Sequence, residues 1–121
     1  MRLIYAMILA FVGGSIIAAE PTNEQIEFFE KKIRPIFVDN CVKCHGVKKQ
    51  EAGLRLDTAA GLKKGTDTGP VVVAGDPTKS LLVKSVRREG EYAMPPSKAL
   101  PPEAVAALTE WEDDFDRGRR S

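Results

Sequence analysis

The chain predicts a small, mainly α domain, and three features point that way. Apolar residues recur at helical spacing in three separate segments. Gly- and Pro-bearing stretches separate those segments and mark long loops. Two cysteines, the only ones present, stand three positions apart just after the first segment, directly ahead of the only histidine.

The first predicted helix runs from Thr22 to Arg34. Thr22 is placed to cap it, and Gln25 three residues on completes a capping box. Ile26, Phe29 and Ile33 fall on one face. Pro35 removes a backbone donor and so kinks or restarts the helix, and Ile36, Phe37 and Val38 continue the apolar content to Cys41. From Gly53 to Gly75 the pattern is less regular. Leu54-Arg55-Leu56 and Val71-Val72-Val73 are candidates for one short β pairing, and Asp57 or Thr58 can cap one or two helical turns that end near Gly65. Asp76-Pro77 reads as a helix start, with Asp as cap and Pro at the first helical position. Leu81, Leu82, Ser85 and Val86 give that helix a buried stripe, and Gly90 ends it. Glu91 to Pro101 is a loop around Met94-Pro95-Pro96. The last helix opens at Pro101-Pro102, with Val105, Leu108, Trp111 or Glu112, and Phe115 on one face. Gly118 and the basic Arg119-Arg120 close it. The total is three to five helices joined by long loops, which in so small a domain need something to pack on.

The first residues read as an export signal. Met1-Arg2 is a short basic start, Leu3 to Ile17 carries no charge, and Ala18-Ala19 precede the polar Glu20-Pro21. The apolar run is 15 residues, short of the ~20 that a spanning helix needs. The expected organisation is therefore a signal peptide over 1–19 and one domain over 20–121. The protein is expected to be exported, periplasmic or secreted, and to meet a membrane only if the N-terminal segment is retained as an anchor. Removing residues 1–19 takes only Arg2 from the charged set. The remainder is balanced between acidic and basic residues, without the basic excess of a nucleic-acid binder.

An exported chain meets an oxidising compartment, where free thiols seldom persist. Cys41-Val42-Lys43-Cys44-His45 gives these thiols a fate, because it is the attachment pattern for haem c. Two thiols three residues apart on one turn face the same side and can add to the two vinyl groups of one porphyrin. The next residue then sits where its imidazole reaches the iron. A dithiol redox pair would need a strand ahead of the motif in a βαβ setting, and a structural zinc site would need a fourth ligand; the sequence offers neither. The expected cofactor is one covalent haem. His45 is the only histidine, so a second imidazole ligand cannot come from the chain. Met94, 49 residues after His45, is the only methionine left once Met1 and Met7 depart with the signal segment. A thioether suits haem iron and favours its reduced state, so Met94 is the candidate second axial ligand beside His45.

The runs FFEKKIRPIFVDNCVKCHG, GLRLDTAAGLKKGTDTGPVVVAGDPTKSLLVKSVR and MPPSKALPPEAVAALTEW resemble the planctomycete cytochrome c domain family over Phe28 to Trp111. The resemblance implies a class I-like cytochrome c fold: an N-terminal helix leading into the attachment motif, a methionine loop, and a C-terminal helix packed across the first. It also implies that Cys41 and Cys44 bind the porphyrin, with His45 proximal and Met94 distal. The acidic stretch Glu112-Asp113-Asp114-Phe115-Asp116, followed by Arg117, departs from that pattern.

Two protein ligands would fill both axial positions, which leaves electron transfer as the expected function, and no separate catalytic set is visible. The chain is therefore expected not to be an enzyme but a monomeric carrier that meets a redox partner protein. The alternatives are a peroxidase-like or gas-binding haem protein, should Met94 not ligate, and a haem-stabilised docking module, motivated by the acidic run from Glu110 to Asp116. Tyr92 and Trp111 are candidate donors near a propionate or an iron ligand, with packing the plainer role. Arg55 is a candidate propionate partner, with an exposed strand position the plainer role. Lys43, Lys48 and Lys49 form a basic cluster beside the motif: a docking patch for an acidic partner or, more plainly, a solvated face.

Overall fold

The computed structural model describes residues 21–115. The expected export segment, with Met1 and Met7, and the tail from Asp116 onward lie outside the described residues, as does the side chain of Phe115. Among the described residues the architecture is mainly α, as the sequence predicts, and it contains no sheet, so the candidate β pairing does not form. Five α-helices occur in order: α1 (Asn23–Phe28), α2 (Arg34–Asn40), α3 (Ala59–Lys64), α4 (Leu81–Arg87) and α5 (Pro102–Phe115). A single wide turn of π-helix, Phe29–Ile33, joins α1 to α2, so that 23–40 is one continuous helical segment. Among the described residues no helix is long and apolar enough to cross a membrane.

The capping box forms as the sequence suggests. Gln25 N–H donates to Thr22 Oγ1, and Thr22 N–H donates to the Gln25 side chain at 2.8 Å. Pro35 explains the π turn. It has no N–H to give, and its ring would strike the carbonyl four residues back in a regular helix. Widening the turn relieves the clash, and Arg34 N–H reaches back five residues to Phe29 O. The wide turn also changes which residues face inward. The stripe facing α5 advances in steps of four: Gln25, Phe29, Ile33, Phe37. Gln25 reaches Asp114 near the end of α5 at 3.5 Å, Ile33 is fully buried, and Phe29 and Phe37 both meet the Trp111 ring. Ile26, expected inward from a regular α spacing, is 47% exposed.

Trp111 is the centre of the clamp between the N-terminal segment and α5. Its ring lies 5.7 Å from Phe29 in a tilted arrangement and 5.8 Å from Phe37 edge-on, both favoured aromatic geometries. Arg34 stacks over the outer side of Phe29 at 5.3 Å while its guanidinium bonds Glu30, which holds the Glu30 carboxyl below its ordinary range. Leu108, Leu100, Leu82, Val86, Leu54, Leu56 and Val71 complete the core.

Three elements differ from expectation. Neither Leu54–Leu56 nor Val71–Val73 is a strand. Leu54, Leu56 and Val71 are buried singly, and the only pairings among the described residues are isolated bridges, His45 with Gln50 and Thr66 with Gly69. Leu54 N–H and Leu56 N–H turn to Glu51 O and His45 O instead of to a neighbouring strand. Asp76-Pro77 does not open α4, because Asp76 O accepts from Lys79 N–H and its side chain accepts from Thr78 Oγ1 at 2.6 Å, which closes a separate turn. The helix itself starts five residues after Asp76, with Ser80 at its N-cap, and buries Leu82, Val83, Ser85 and Val86, while Leu81 is only half-buried. The short helix α3 does form where expected, with Thr58 Oγ1 accepting from Gly61 N–H at 2.9 Å and Gly65 ending it at φ 78°.

Candidate functional site: the cysteine turn and the methionine loop

The motif lies immediately beyond α2, and the backbone shapes it into one turn. Cys41 N–H and Val42 N–H both donate to Phe37 O at 2.9 Å. Cys44 N–H donates to Cys41 O at 3.2 Å and His45 N–H to the same oxygen at 2.9 Å. Both cysteines are therefore carried on a single helical turn, with His45 at its end. Gly46 follows where no side chain fits: a Cβ there would lie 2.4 Å from Val42 O. Both thiols are free and half-buried. Burial, with a smaller push from Cys44, raises the Cys41 thiol to about 11. A thiol held protonated is a poor attacking group in disulfide exchange, the reverse of what a dithiol redox pair needs.

His45 is gripped from three sides. Its N–H is tied to Cys41, its carbonyl accepts Leu56 N–H at 2.8 Å, and its ring Nδ1 lies 3.1 Å from Glu51 O. A carbonyl can only accept, so Nδ1 carries a hydrogen, and in the neutral ring Nε2 is the nitrogen with the lone pair. That is the arrangement of an imidazole presented to a metal, in which the hydrogen bond at the other nitrogen fixes the tautomer and ring orientation. The Glu51 carbonyl is in turn fixed by a tight turn in which Ala52 takes φ 56°, a left-handed conformation unusual for a residue with a Cβ. Glu51 N–H closes back on Cys44 O at 2.9 Å.

Met94 comes from a different element. It is half-buried, in the irregular segment between α4 and α5. Its N–H donates to Ser85 O on α4 at 2.9 Å, and Arg88 Nη1 donates to Pro95 O at 3.0 Å. Thus one turn assembles Cys41, Cys44 and His45, while Met94 is positioned by α4.

The weaker candidates have mostly plain roles. Trp111 packs in the aromatic clamp and Tyr92 is exposed. Arg55 forms a two-pronged pair with Asp57 at 3.0 and 2.6 Å, which holds the Asp57 carboxyl below its usual range. Lys43, Lys48 and Lys49 are exposed, and Lys49 pairs with Glu51 at 3.0 Å. An open groove of about 650 Å³ lies beside α5, lined by Pro77, Arg87, Val105, Thr109, Glu110 and Asp113 among others; neither the motif nor Met94 lines it. Among the described residues no group of three or more His, Cys, Asp or Glu side chains forms a metal cage.

Two contributors to this region were not visible in the sequence. The Glu51 carbonyl that orients His45 is a backbone group and has no residue signature. Buried Ser80 and Glu112, which touch each other, lie outside the motif; the only hint was that Glu112 shares the inward spacing of Leu108 and Trp111.

The residues present fit a covalently held haem. The donor set is two half-buried thiols on one turn, together with an imidazole whose free nitrogen is the one remote from its hydrogen bond. No curated protein and no solved structure matches the chain significantly. The sequence model of the family described as planctomycete cytochrome C matches residues 41–98, a stretch that opens on Cys41 and extends past Met94. With the cysteine turn and the methionine loop both inside that stretch, the match supports a c-type cytochrome of the planctomycete cytochrome C family.

Proposed function

We propose that the protein is an exported electron carrier with one haem, attached through Cys41 and Cys44 and ligated by His45 and Met94. Cys41 and Cys44 are the residues that would hold the haem, each through a thioether made by adding its S–H across one vinyl group, with no change in redox state. A haem held this way supplies an iron that alternates between the ferric and ferrous states. The chain's own residues do the rest. Glu51 O keeps His45 in one tautomer and orientation, so the ligand needs little rearrangement when charge is added or removed. Ser85 O fixes the backbone of Met94, and the thioether favours the reduced state. Leu54, Leu56 and Val71 are apolar and buried, and a dry surrounding of that kind tunes the potential of a bound metal. Were His45 and Met94 both to hold the iron, no open site would remain for a substrate, which favours a carrier over an enzyme and calls for a redox partner protein.

The observation that carries this reading is the His45 ring, bonded through Nδ1 and free at Nε2 directly after the paired thiols. The test is expression in a host that assembles haem c, followed by intact mass and absorbance of the wild type and of Met94→Ala. The expected result is one haem's mass on both proteins, the near-red band of methionine-ligated ferric haem in the wild type, and loss of that band in Met94→Ala. A bare polypeptide mass would end the haem assignment. An unchanged variant spectrum would remove Met94 as ligand and reopen a small-molecule site at the iron.

A further inference from the structure

Glu112 occupies a position where charged side chains are rarely found without a partner. It lies on α5 with no exposed surface, and no cation among the described residues forms an ion pair with it. One carboxyl oxygen, Oε2, has no hydrogen-bond partner among them. The other, Oε1, lies 2.8 Å from Ser80 Oγ, which is also 2.8 Å from Val71 O. A serine hydroxyl has a single hydrogen, whereas a backbone carbonyl and an ionised carboxylate only accept. With Glu112 ionised, one of these two short contacts would contain no proton. With Glu112 protonated, both are filled: its O–H donates to Ser80 Oγ, and Ser80 O–H donates to Val71 O. The second lone pair of Val71 O takes Leu82 N–H at 2.9 Å. Ser80 sits at the N-cap of α4, yet its side chain makes no bond to that helix; it turns to Val71 and Glu112 instead.

We propose that Glu112 is protonated in the folded protein and forms a proton-dependent clasp, which pins residues 71–80 and the start of α4 to α5 and loosens as pH rises.

The surrounding charges leave the carboxyl uncompensated. On the 71–80 segment, Asp76 and Lys79 face each other at 3.8 Å. On α4, Lys84 is exposed and Arg87 donates to Thr109 at 3.2 Å. On α5 itself the sequence neighbours Glu110, Asp113 and Asp114 are acidic and supply no cation. On the N-terminal segment Lys31 and Arg34 are paired with Glu27 and Glu30, and Lys32 is exposed. Burial pushes the Glu112 carboxyl up from 4.5 to about 7, against a smaller downward pull from Ser80. Below 4.5 both folded and unfolded chains hold the proton. Between 4.5 and about 7 only the folded chain does, so stability falls as pH rises through that window and levels off above it. The clasp also bears on the methionine loop, because α4 carries the Ser85 carbonyl that accepts Met94 N–H.

Amide hydrogen exchange on the full-length haem-loaded protein tests this without reference to the iron ligand. After correction for intrinsic rates, protection of the Leu82 and Met94 amides is expected to fall on the order of a hundredfold across the window in the wild type. It stays level in Glu112→Gln, whose amide can donate to Ser80 Oγ at any pH. At about pH 6, where exposed carboxyls are ionised, the wild type should show the infrared carbonyl stretch of a protonated carboxyl, and Glu112→Gln should lack it. A level wild-type profile, or a slope that persists in Glu112→Gln, would overturn the clasp. Should that variant fail to fold, the infrared titration of the wild type decides: a band that fades through the window supports the clasp, and absence of the band at about pH 6 eliminates it.

Discussion

The two ends of the N-terminal helical segment are held by different forces. At one end Phe29, Ile33 and Phe37 press on Trp111 and α5, an apolar clamp made wholly from the chain. At the other the helix runs out into the cysteine turn, where backbone hydrogen bonds set the shape and the thiols and His45 stay half-buried. The clamp buries what it is made of. The turn instead gathers two thiols and an imidazole on one stretch of backbone and leaves them half-buried. A small domain can combine the two because the clamp fixes α2, and α2 delivers Cys41 through two hydrogen bonds to the carbonyl of the clamp residue Phe37.

That contrast can be broken most forcefully at the turn. Replacing Cys41 and Cys44 together by Ala is expected to abolish covalent haem entirely, read as bare polypeptide mass from a host that loads the wild type; retention of a covalent group would show that the turn is not the attachment point. At the clamp, Trp111→Ala is expected to cost about 3–5 kcal/mol in chemical denaturation, since it empties the space between Phe29 and Phe37. A cost below about 1 kcal/mol, small for a buried ring, would mean that the clamp does not carry the fold. The mildest probe is Thr22→Ala, which removes the cap at the outer end of the segment. It is expected to cost about 1 kcal/mol and to leave the haem absorbance unchanged, because the cap belongs to the clamp side and touches nothing in the turn; a shifted spectrum would show that the two ends are coupled.

The pattern of residues announces the cysteine turn more fully than any other part of the molecule. Cys41, Cys44 and His45 are legible because the chemistry demands those side chains at that spacing. The capping box at Thr22 and Gln25, the short helix begun by Thr58 and the long helix after Pro101 are legible because their signals are local: Thr22 and Thr58 each accept from a backbone N–H three residues on, and Pro102 has the fixed φ of a first helical position. Pro35 announced a disturbance but not its form, since a proline can be accommodated by a kink, a break or a wide turn, and the packing of Phe29 and Phe37 on Trp111 selects the wide turn. The exposure of Ile26 follows from that choice.

The helix expected at Asp76-Pro77 shows the limit from the other side. Asp76 does bond locally, but to Thr78 and Lys79, and the start of α4 falls to Ser80, whose side chain is engaged by Val71 and by Glu112, 32 residues further on. By itself the sequence determined the helical class, the caps at Thr22 and Thr58, and the clustering of Cys41, Cys44 and His45, since each rests on neighbours along the chain. Only the tertiary structure decided that Glu51 O orients His45, that Met94 hangs from Ser85, and that Glu112 is buried without a cation among the described residues. Those outcomes depend on which distant backbone carbonyls and side chains meet when the core closes, and no spacing rule encodes such meetings.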